Sequence, residues 1–197
     1  PNVTLNTNLK VERLATSNDG HRVTTVHCTR DGGKESFAAR VVVLAAGAVN
    51  SAAVLLSSAS DAHPRGLANG SGQVGRNYMC HINSVMLGLA PWRANPTVFQ
   101  KTIGVNDFYR ESGDAGFPWP LGHVQLLGKV TGKVLAAQRP RLPRRLAQWS
   151  GRHSVDWWLT TEDLASPDNR VTLSEEGRIR LSYAPNNLEA HARLLSR

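Results

Sequence analysis

The sequence predicts an α/β (α+β) fold, and three features of its 197 residues support that prediction. Residues 3–40 alternate apolar and polar side chains around two glycine-containing turns, a pattern typical of antiparallel strands. Residues 41–47 form a continuous apolar run that leads into a helix-forming segment. Residues 84–183 contain short apolar runs between Gly, Pro and Asn, which indicate further short strands. With 41% apolar and aromatic residues, the chain can bury a hydrophobic core.

The first third of the chain predicts a β-meander. Its first strand covers residues 3–14, its second covers residues 22–30, and its third begins at residue 34. The third strand then enters residues 41–47. An uninterrupted apolar run of this kind is typical of a strand that is buried on both faces.

The turn after this apolar run is a candidate ligand-binding position. A helix is expected through residues 52–56, capped by Asn50 or Ser51. Ligands of open α/β sheets lie at the carboxyl ends of strands, and the turn Ala46-Gly47-Ala48 has no side chain large enough to keep a flat or phosphorylated ligand from the backbone. Its amides also lie at a helix N-terminus, which favours an anion. The alternative is tight strand-to-helix packing without a ligand.

The second half of the chain predicts further strands and a basic segment. A strand is expected over residues 155–160. A hairpin is expected from residues 169–173 and 178–183, because Glu175-Glu176-Gly177 between them is a turn sequence. Residues 130–150 carry five Lys and Arg residues and no acid, and are expected to form an exposed basic helix or loop.

A predicted helix closes the sequence. It is entered through Asn186-Asn187, and Asn186 with Glu189 resembles a capping box. An apolar repeat at helical spacing continues to the last residues. Because the sequence begins at Pro1 and ends inside this repeat, both ends are interpreted as truncations.

Several classes of protein are excluded by the pattern. The longest apolar run is far shorter than the ~18 residues of a membrane span, so no transmembrane segment is predicted. Cys28 and Cys80 are far apart and form no C-x-x-C pair, so they are interpreted as free, buried thiols. The seven histidines show no H-x-H or H-E-x-x-H spacing, and a metal site is therefore unsupported.

The run Gly70-Ser71-Gly72-Gln73-Val74-Gly75 spells the dinucleotide fingerprint G-x-G-x-x-G. That fingerprint requires a buried strand before it, a helix at its third glycine and an acid about 20 residues later. Residues 63–69, which precede the run, have the composition of a loop, and the next acid is Asp107. The run is therefore predicted to be a connecting loop and not a phosphate cradle.

Two further positions are candidates for chemistry. Glu162 and Asp163 could act as paired carboxylates, but adjacent residues of a strand or helix point in different directions, so a turn or a cap is favoured. His81 follows residues 75–80, which flank a candidate site. Both a structural and a functional role stay open for this histidine.

The order and spacing of four segments carry a family resemblance. The segments are NLKVERL at residues 8–14, VVLAAGAVNS at 42–51 followed by Leu55-Leu56, GLAN leading into VGRN between 66 and 77, and WLTTED with NRV between 158 and 171. Together they resemble the flavin-dependent glucose-methanol-choline (GMC) oxidoreductases, particularly the bacterial dehydrogenase-like branch. The resemblance extends over nearly the whole chain.

The resemblance implies an FAD enzyme that oxidises a small-molecule alcohol, sugar or sugar acid by hydride transfer to the flavin. In such enzymes the backbone of the residue matching Val11 contacts the adenine of FAD. Ala46 and Gly47 would lie beside the cofactor, and the loop that holds Asn77 would run near the flavin pocket. These four residues are the predicted cofactor-binding positions.

The resemblance also implies a division into two domains. Residues 1–83 would form the C-terminal part of an FAD-binding, Rossmann-like domain, and residues 84–197 would form a substrate-binding domain with an antiparallel sheet. The pyrophosphate fingerprint is expected before Pro1 and the catalytic histidine after Arg197. No catalytic residue is therefore assigned within the sequence, which is interpreted as an inactive internal fragment of the enzyme.

A binding module is the alternative function. The formal net charge is +8, and residues 131–150 alone contribute +5. Residues 133–145 could contact an anionic partner such as an electron-acceptor subunit, a membrane surface or nucleic acid. Because the charge forms one local patch and not a stripe interleaved with aromatic residues, no nucleic-acid partner is predicted for the enzyme.

Overall fold

The computed structural model describes residues 2–98 and 101–197, which form a mixed α/β protein. In chain order the elements are β1 (Lys10–Thr16), β2 (Val23–Arg30), β3 (Gly33–Phe37), α1 (Gly47–Ser57), β4 (His81–Leu89), β5 (Gly104–Val105), β6 (His123–Leu126), α2 (Gly132–Gln138), α3 (Arg144–His153), β7 (Ser154–Glu162), β8 (Arg170–Leu173), β9 (Ile179–Ser182) and α4 (Leu188–Leu195). All strand pairs among the described residues are antiparallel. The Rossmann-like character of the first domain therefore stays a prediction.

The chain divides into two compact units. The first contains residues 2–79 and Ala165–Ala184, and the second contains Cys80–Leu164 and Pro185–Arg197. The sequence analysis assigned residues 165–184 to the substrate-binding domain. In the structure the β8–β9 hairpin belongs to the first unit, because Val171 packs against α1. The functional labels of the two predicted domains stay a prediction.

A three-stranded meander in the order β1-β2-β3 opens the first unit. The predicted second strand is confirmed in β2. The first strand begins at Lys10, so its predicted start at residue 3 is wrong. Val3 and Leu5 are 87% and 84% exposed, and alternation alone cannot form a strand without a neighbouring strand to pair with.

Residues 41–46 are not a strand, and the predicted burial of both faces is wrong. Val42 and Leu44 pack against the core formed by Leu14, Val54 and Leu67. Val41 and Val43, which alternate with them, are 76% and 81% exposed. A strand buried on both faces needs a packed layer on each side, and the described residues cover only one side.

The α1 helix begins at Gly47, earlier than predicted, with Ala46 at the N-cap position. Asn50 and Ser51 therefore lie inside the helix and do not cap its start. The Ser51 Oγ instead accepts a hydrogen bond from the Ala46 N–H at 3.2 Å. The missed start reflects Gly47, whose φ of +77° lets the chain turn directly from the extended segment into the helix.

Residues 66–75 form a connecting loop without strand or helix, which confirms the prediction for the G-x-G-x-x-G run. The buried Asn69 holds the loop together, since its Oδ1 accepts from the Val74 N–H at 3.0 Å. The carbonyl of Gly75 accepts from the Val171 N–H at 2.7 Å. A side chain at Gly75 would collide with the Val171 carbonyl oxygen, so this glycine permits the loop to approach β8.

The second unit is built on an antiparallel sheet of four strands in the order β4-β7-β6-β5. Its core contains Leu121, Leu159, Ala190 and Leu194, so α4 packs against the sheet. The predicted strand over residues 155–160 is confirmed in β7. The predicted antiparallel sheet is therefore confirmed, and its role in substrate binding stays a prediction.

The helix α4 is confirmed, but its predicted capping box is wrong. Its N-cap residue is Asn187, whose side chain makes no capping hydrogen bond. The Asn186 Oδ1 accepts from the Leu164 N–H at 2.9 Å, and Glu189 pairs with Arg193 at 2.9 Å. Asn186 therefore makes a tertiary contact, and Glu189 an ion pair within α4, in place of the cap.

The predicted basic segment forms two short helices, α2 and α3, which resolves the choice between helix and loop. Within residues 2–98 and 101–197, every helix is too short or too polar to cross a membrane. Neither Cys28 nor Cys80 forms a disulfide; Cys28 is buried in β2 as expected, whereas Cys80 is only partly buried, so its predicted burial is wrong.

Candidate functional site

The predicted cofactor-binding residues all lie in the first unit. Val11 lies in β1, an edge strand of the meander, where it pairs with Cys28 of β2. An edge strand leaves backbone groups on its outer side that can bind the polar edge of a planar ring. The pairing register of β1 and β2 shifts between Val11 and Arg13, so an irregularity such as a β-bulge lies beside Val11.

Ala46 and Gly47 are adjacent at the start of α1. No acid lies in the first turn of this helix, and no side chain caps its end. A side chain built at Gly47 would meet no atom within 4 Å, so the backbone there is open. Unsatisfied amides at a helix N-terminus favour an anionic or electron-rich ligand atom. The residues present therefore fit the edge of a phosphorylated cofactor.

Asn77 lies on the loop that joins residues 66–75 to the second unit and has a φ of +57°. Its amide contacts the Gln73 side chain at 3.4 Å. Its neighbour Arg76 donates to the carbonyl oxygens of Gly72 at 3.0 Å and Pro167 at 3.1 Å. Among the described residues, no hydrogen bond joins Asn77 to Ala46 or Gly47 at the start of α1.

An open cavity of about 750 Å³ lies in the second unit. Three aromatic side chains contribute to its wall, namely Tyr109, Phe117 and Trp119. Polar side chains from the end of β7 and the start of α4 also line the cavity. This combination of apolar area with a few polar groups is typical of a small-molecule site.

A second cavity, of about 480 Å³, lies on one face of the four-stranded sheet. Its floor is formed by polar or aromatic side chains from alternate positions of β4, β6 and β7, which are His81, Asn83, His123, Gln125, Trp158, Thr160 and Glu162. We call this set the polar sheet face. Cross-strand pairing places His81 opposite Glu162, and Asn83 opposite Thr160.

The polar sheet face is preorganised by hydrogen bonds between its own side chains. The Asn83 Oδ1 accepts from the Trp158 Nε1–H at 2.7 Å and from the Thr160 hydroxyl at 3.0 Å. The Asn83 amide donates to the His81 carbonyl at 2.9 Å. These contacts hold the indole in one orientation, so that its ring can serve as a platform for a ligand.

Glu162 is the last residue of β7 and no helix or turn begins at Asp163, so the favoured turn or cap is wrong. The two side chains do differ in environment, as expected for adjacent residues. Asp163 is 5% exposed and accepts hydrogen bonds from the backbone N–H groups of Cys80 at 3.1 Å and Asn186 at 3.4 Å. It thus ties the end of β7 to neighbouring segments. The exposed Glu162 lines both cavities, and its carboxylate makes no hydrogen bond or ion pair within the described part of the chain. Glu162 is the carboxylate available to a ligand.

His191 is a buried residue that the sequence analysis did not identify. The Thr161 hydroxyl donates its hydrogen to the Leu121 carbonyl at 2.7 Å, so its oxygen accepts from the His191 Nδ1–H at 3.0 Å. The Ser84 hydroxyl lies 2.8 Å from the other ring nitrogen and donates to it. Burial lowers the pKa of His191 below its ordinary value. A neutral His191 therefore joins α4 to β4 and β7.

The polar sheet face could have been found from a two-residue period in the sequence. Residues 158, 160 and 162 alternate with the buried Leu159 and Thr161, which is the pattern of a strand with one polar face. Their partners on β4 and β6 depend on strand register, which one sequence does not reveal. Within residues 2–98 and 101–197, no group of three His, Cys, Asp or Glu side chains could hold a metal ion.

Comparison with known proteins gives two matches. Residues 1–83 match the family model described as GMC oxidoreductase. The 2-methyl-1,2-propanediol dehydrogenase of Mycolicibacterium austroafricanum is similar to the chain, with 31% identity over 116 residues. This match covers 57% of the chain and 21% of the relative, so the chain spans about a fifth of the length of that curated protein.

Proposed function

Because the chain belongs to the GMC oxidoreductase family, we propose that it forms the central part of an FAD-dependent enzyme that oxidises the CH–OH group of an alcohol, sugar or sugar acid. The family match over residues 1–83 is the observation that carries this proposal. The relative's name, a diol dehydrogenase, supports a hydroxylated small molecule as the substrate.

The residues assigned to the cofactor are Val11, Ala46, Gly47 and Asn77. GMC oxidoreductases generally bind FAD, and bound FAD supplies the hydride acceptor for the oxidation of an alcohol. The open backbone at Gly47 and the uncapped start of α1 support a role for Ala46 and Gly47 in holding the cofactor's polar atoms. The outer edge of β1 supports a backbone contact from Val11 to a planar ring.

The polar sheet face is assigned to the substrate. A polyol or sugar presents several hydroxyl groups and an apolar ring or chain, and this face offers matching side chains. Glu162 accepts hydrogen bonds from hydroxyl groups, and the Trp158 indole covers the C–H surface. Because the Trp158 ring is already held by Asn83, little ordering is needed when substrate binds.

No catalytic residue is assigned within the chain. Oxidation of an alcohol needs a base that removes the hydroxyl proton. His191 cannot serve, because it is buried and both its ring nitrogens are engaged by Ser84 and Thr161. In the proposed enzyme, the described residues bind and orient the substrate.

The test uses the intact protein that contains this sequence. We expect the purified protein to show the absorption bands of an oxidised flavin, and we expect acid denaturation to release FAD. Addition of alcohols, sugars or sugar acids under anaerobic conditions should bleach these bands for at least one substrate class. A folded protein that carries no flavin, and that regains none when FAD is added during refolding, would contradict the proposal.

A further inference from the structure

The helical hairpin formed by α2 and α3 is a closely packed element. A side chain at Gly132 would lie 2.5 Å from the Cα of Gln148, and one at Gly151 would lie 2.7 Å from the backbone nitrogen of Gly132. The two helices therefore touch through their backbones. Ala147 is completely buried beside this crossing. We call residues 131–153 the basic hairpin.

Buried polar contacts attach the basic hairpin to the start of β7. The Val130 N–H donates to the Asp156 carboxylate at 2.7 Å, and Asp156 is itself completely buried. The Lys129 ammonium donates to the Ser154 carbonyl at 2.6 Å. These contacts fix the base of the basic hairpin to the start of β7, so its outer surface belongs to an attached element and not to a loose loop.

The outer surface of the basic hairpin carries a dense positive charge. Residues 131–153 contain no Asp or Glu. They carry six exposed cations, namely Lys133, Arg139, Arg141, Arg144, Arg145 and Arg152. Within the part of the chain that the structure describes, none of the six forms a salt bridge or a side-chain hydrogen bond. Their charge is therefore available to an external anion.

The placement of Arg144 and Arg145 is unfavourable for α3 alone. Both lie in its first turn, where the backbone carries a partial positive charge, and no acid or side-chain cap compensates them. An anion at this end would interact favourably with the arginines and with the helix backbone.

Aliphatic side chains accompany the arginines. Val134 and Leu146 are each 45% exposed on the two helices. The aromatic side chain of the hairpin, Trp149, is half-buried and stacked on His153 at 4.9 Å, so one face of its ring is already covered and the arginines are not interleaved with exposed aromatic rings. Exposed aliphatic groups beside arginines fit the boundary between lipid headgroups and acyl chains, and two of them are too few for the apolar core of a protein interface.

We propose that the basic hairpin is a peripheral membrane-binding element that docks the protein on bilayers rich in anionic phospholipids. The arginines at the turn and at the start of α3 contact lipid phosphates, while Leu146 and Val134 enter the headgroup boundary. This role is independent of the oxidation proposed above, since it uses no residue of the polar sheet face or of the predicted cofactor edge.

Co-sedimentation with vesicles tests this proposal. We expect the chain to sediment with vesicles of equimolar phosphatidylcholine and phosphatidylglycerol, but not with phosphatidylcholine alone, and we expect salt to weaken the binding. The triple variant Arg141→Ser, Arg144→Ser, Arg145→Ser should bind about a hundredfold more weakly, because each basic residue near an anionic surface contributes about fivefold. Leu146→Ser should weaken binding several-fold while leaving its salt dependence unchanged.

The matched control removes the same charge elsewhere. Arg40→Ser, Arg178→Ser, Arg180→Ser changes three exposed arginines of the other unit and should retain more of the vesicle affinity than the hairpin variant. Arg141→Ser alone, between the two helices, should still cost about fivefold if the triple variant fails to fold. Equal losses in the two triple variants would overturn the proposal. So would tighter binding to duplex DNA or to polyglutamate than to anionic vesicles.

Discussion

Alanine at Gly75 should destabilise the chain strongly, because this glycine fits where the loop meets β8. Its φ is +84°, and an added side chain would collide with the Val171 carbonyl oxygen. The left-handed backbone costs about 1–2 kcal/mol for alanine. Moving the loop away would also weaken the 2.7 Å hydrogen bond from the Val171 N–H to Gly75, which adds about 1 kcal/mol. We expect a total loss of about 3 kcal/mol once the disturbed packing is included.

Gly72→Ala is the matched control within the same run. Gly72 also has a left-handed φ, +73°, but an added side chain would approach only the flexible end of Arg65, at 3.6 Å. We therefore expect about 1 kcal/mol for Gly72→Ala, from backbone strain alone. Urea unfolding of both variants, followed by circular dichroism, measures the difference. Equal losses at the two positions would refute the packing role of Gly75.

The same control variant tests the interpretation of the run as a loop. In the intact protein, Gly72→Ala should leave FAD affinity nearly unchanged, since residues 66–75 contain no strand or helix that could aim amides at a pyrophosphate. A several-hundredfold loss of FAD affinity with folding intact, about 3.5 kcal/mol, would show that the run is a phosphate cradle.

Three further outcomes are expected. Gly47→Val should lower the flavin content of the intact protein and cost about 2 kcal/mol of stability, because a β-branched residue is strained at φ +77°. The control Gly32→Val, at a similar φ of +80° in the turn between β2 and β3, should cost similar stability and leave the flavin content unchanged. Unchanged flavin and melting temperature in Gly47→Val would make Gly47 an ordinary surface turn. Glu162→Gln should raise KM for a hydroxylated substrate about tenfold with little change in kcat, while Glu176→Gln, exposed in the other unit, should change neither. Burial lowers the pKa of His191 in the folded chain. The contribution of His191 to the free energy of unfolding should therefore be complete above pH 6.5, its ordinary pKa, and should be lost as the pH falls through the lowered folded value. If this assignment is wrong, the difference in the free energy of unfolding between the chain and His191→Asn should not change with pH.

Local sequence patterns were sufficient to predict an element where its pairing partner lies close to it in the chain. The β8–β9 hairpin pairs Leu173 with Ile179 across the short turn that the sequence predicted, so the pairing partner of each strand is the next segment of the chain. The connecting loop of residues 66–75 was also predictable, because the absence of a preceding strand is visible in composition. The two-residue period of residues 158–162 indicates that one face of this strand is polar, which is the part of the polar sheet face that β7 contributes.

The sequence alone thus determined β2, β7, the β8–β9 hairpin, α4, the connecting loop and the position of the basic segment, and it predicts the candidate cofactor edge at Ala46 and Gly47. The tertiary structure alone decided which side of residues 41–44 is covered, that Asn186 bonds to Leu164 and does not cap α4, and that β4 and β6 flank β7 to assemble the polar sheet face. These features depend on contacts between residues distant in the chain. Apolar periodicity shows that a face will be buried, but it carries no information about which distant segment will bury it, because the hydrophobic effect has no direction.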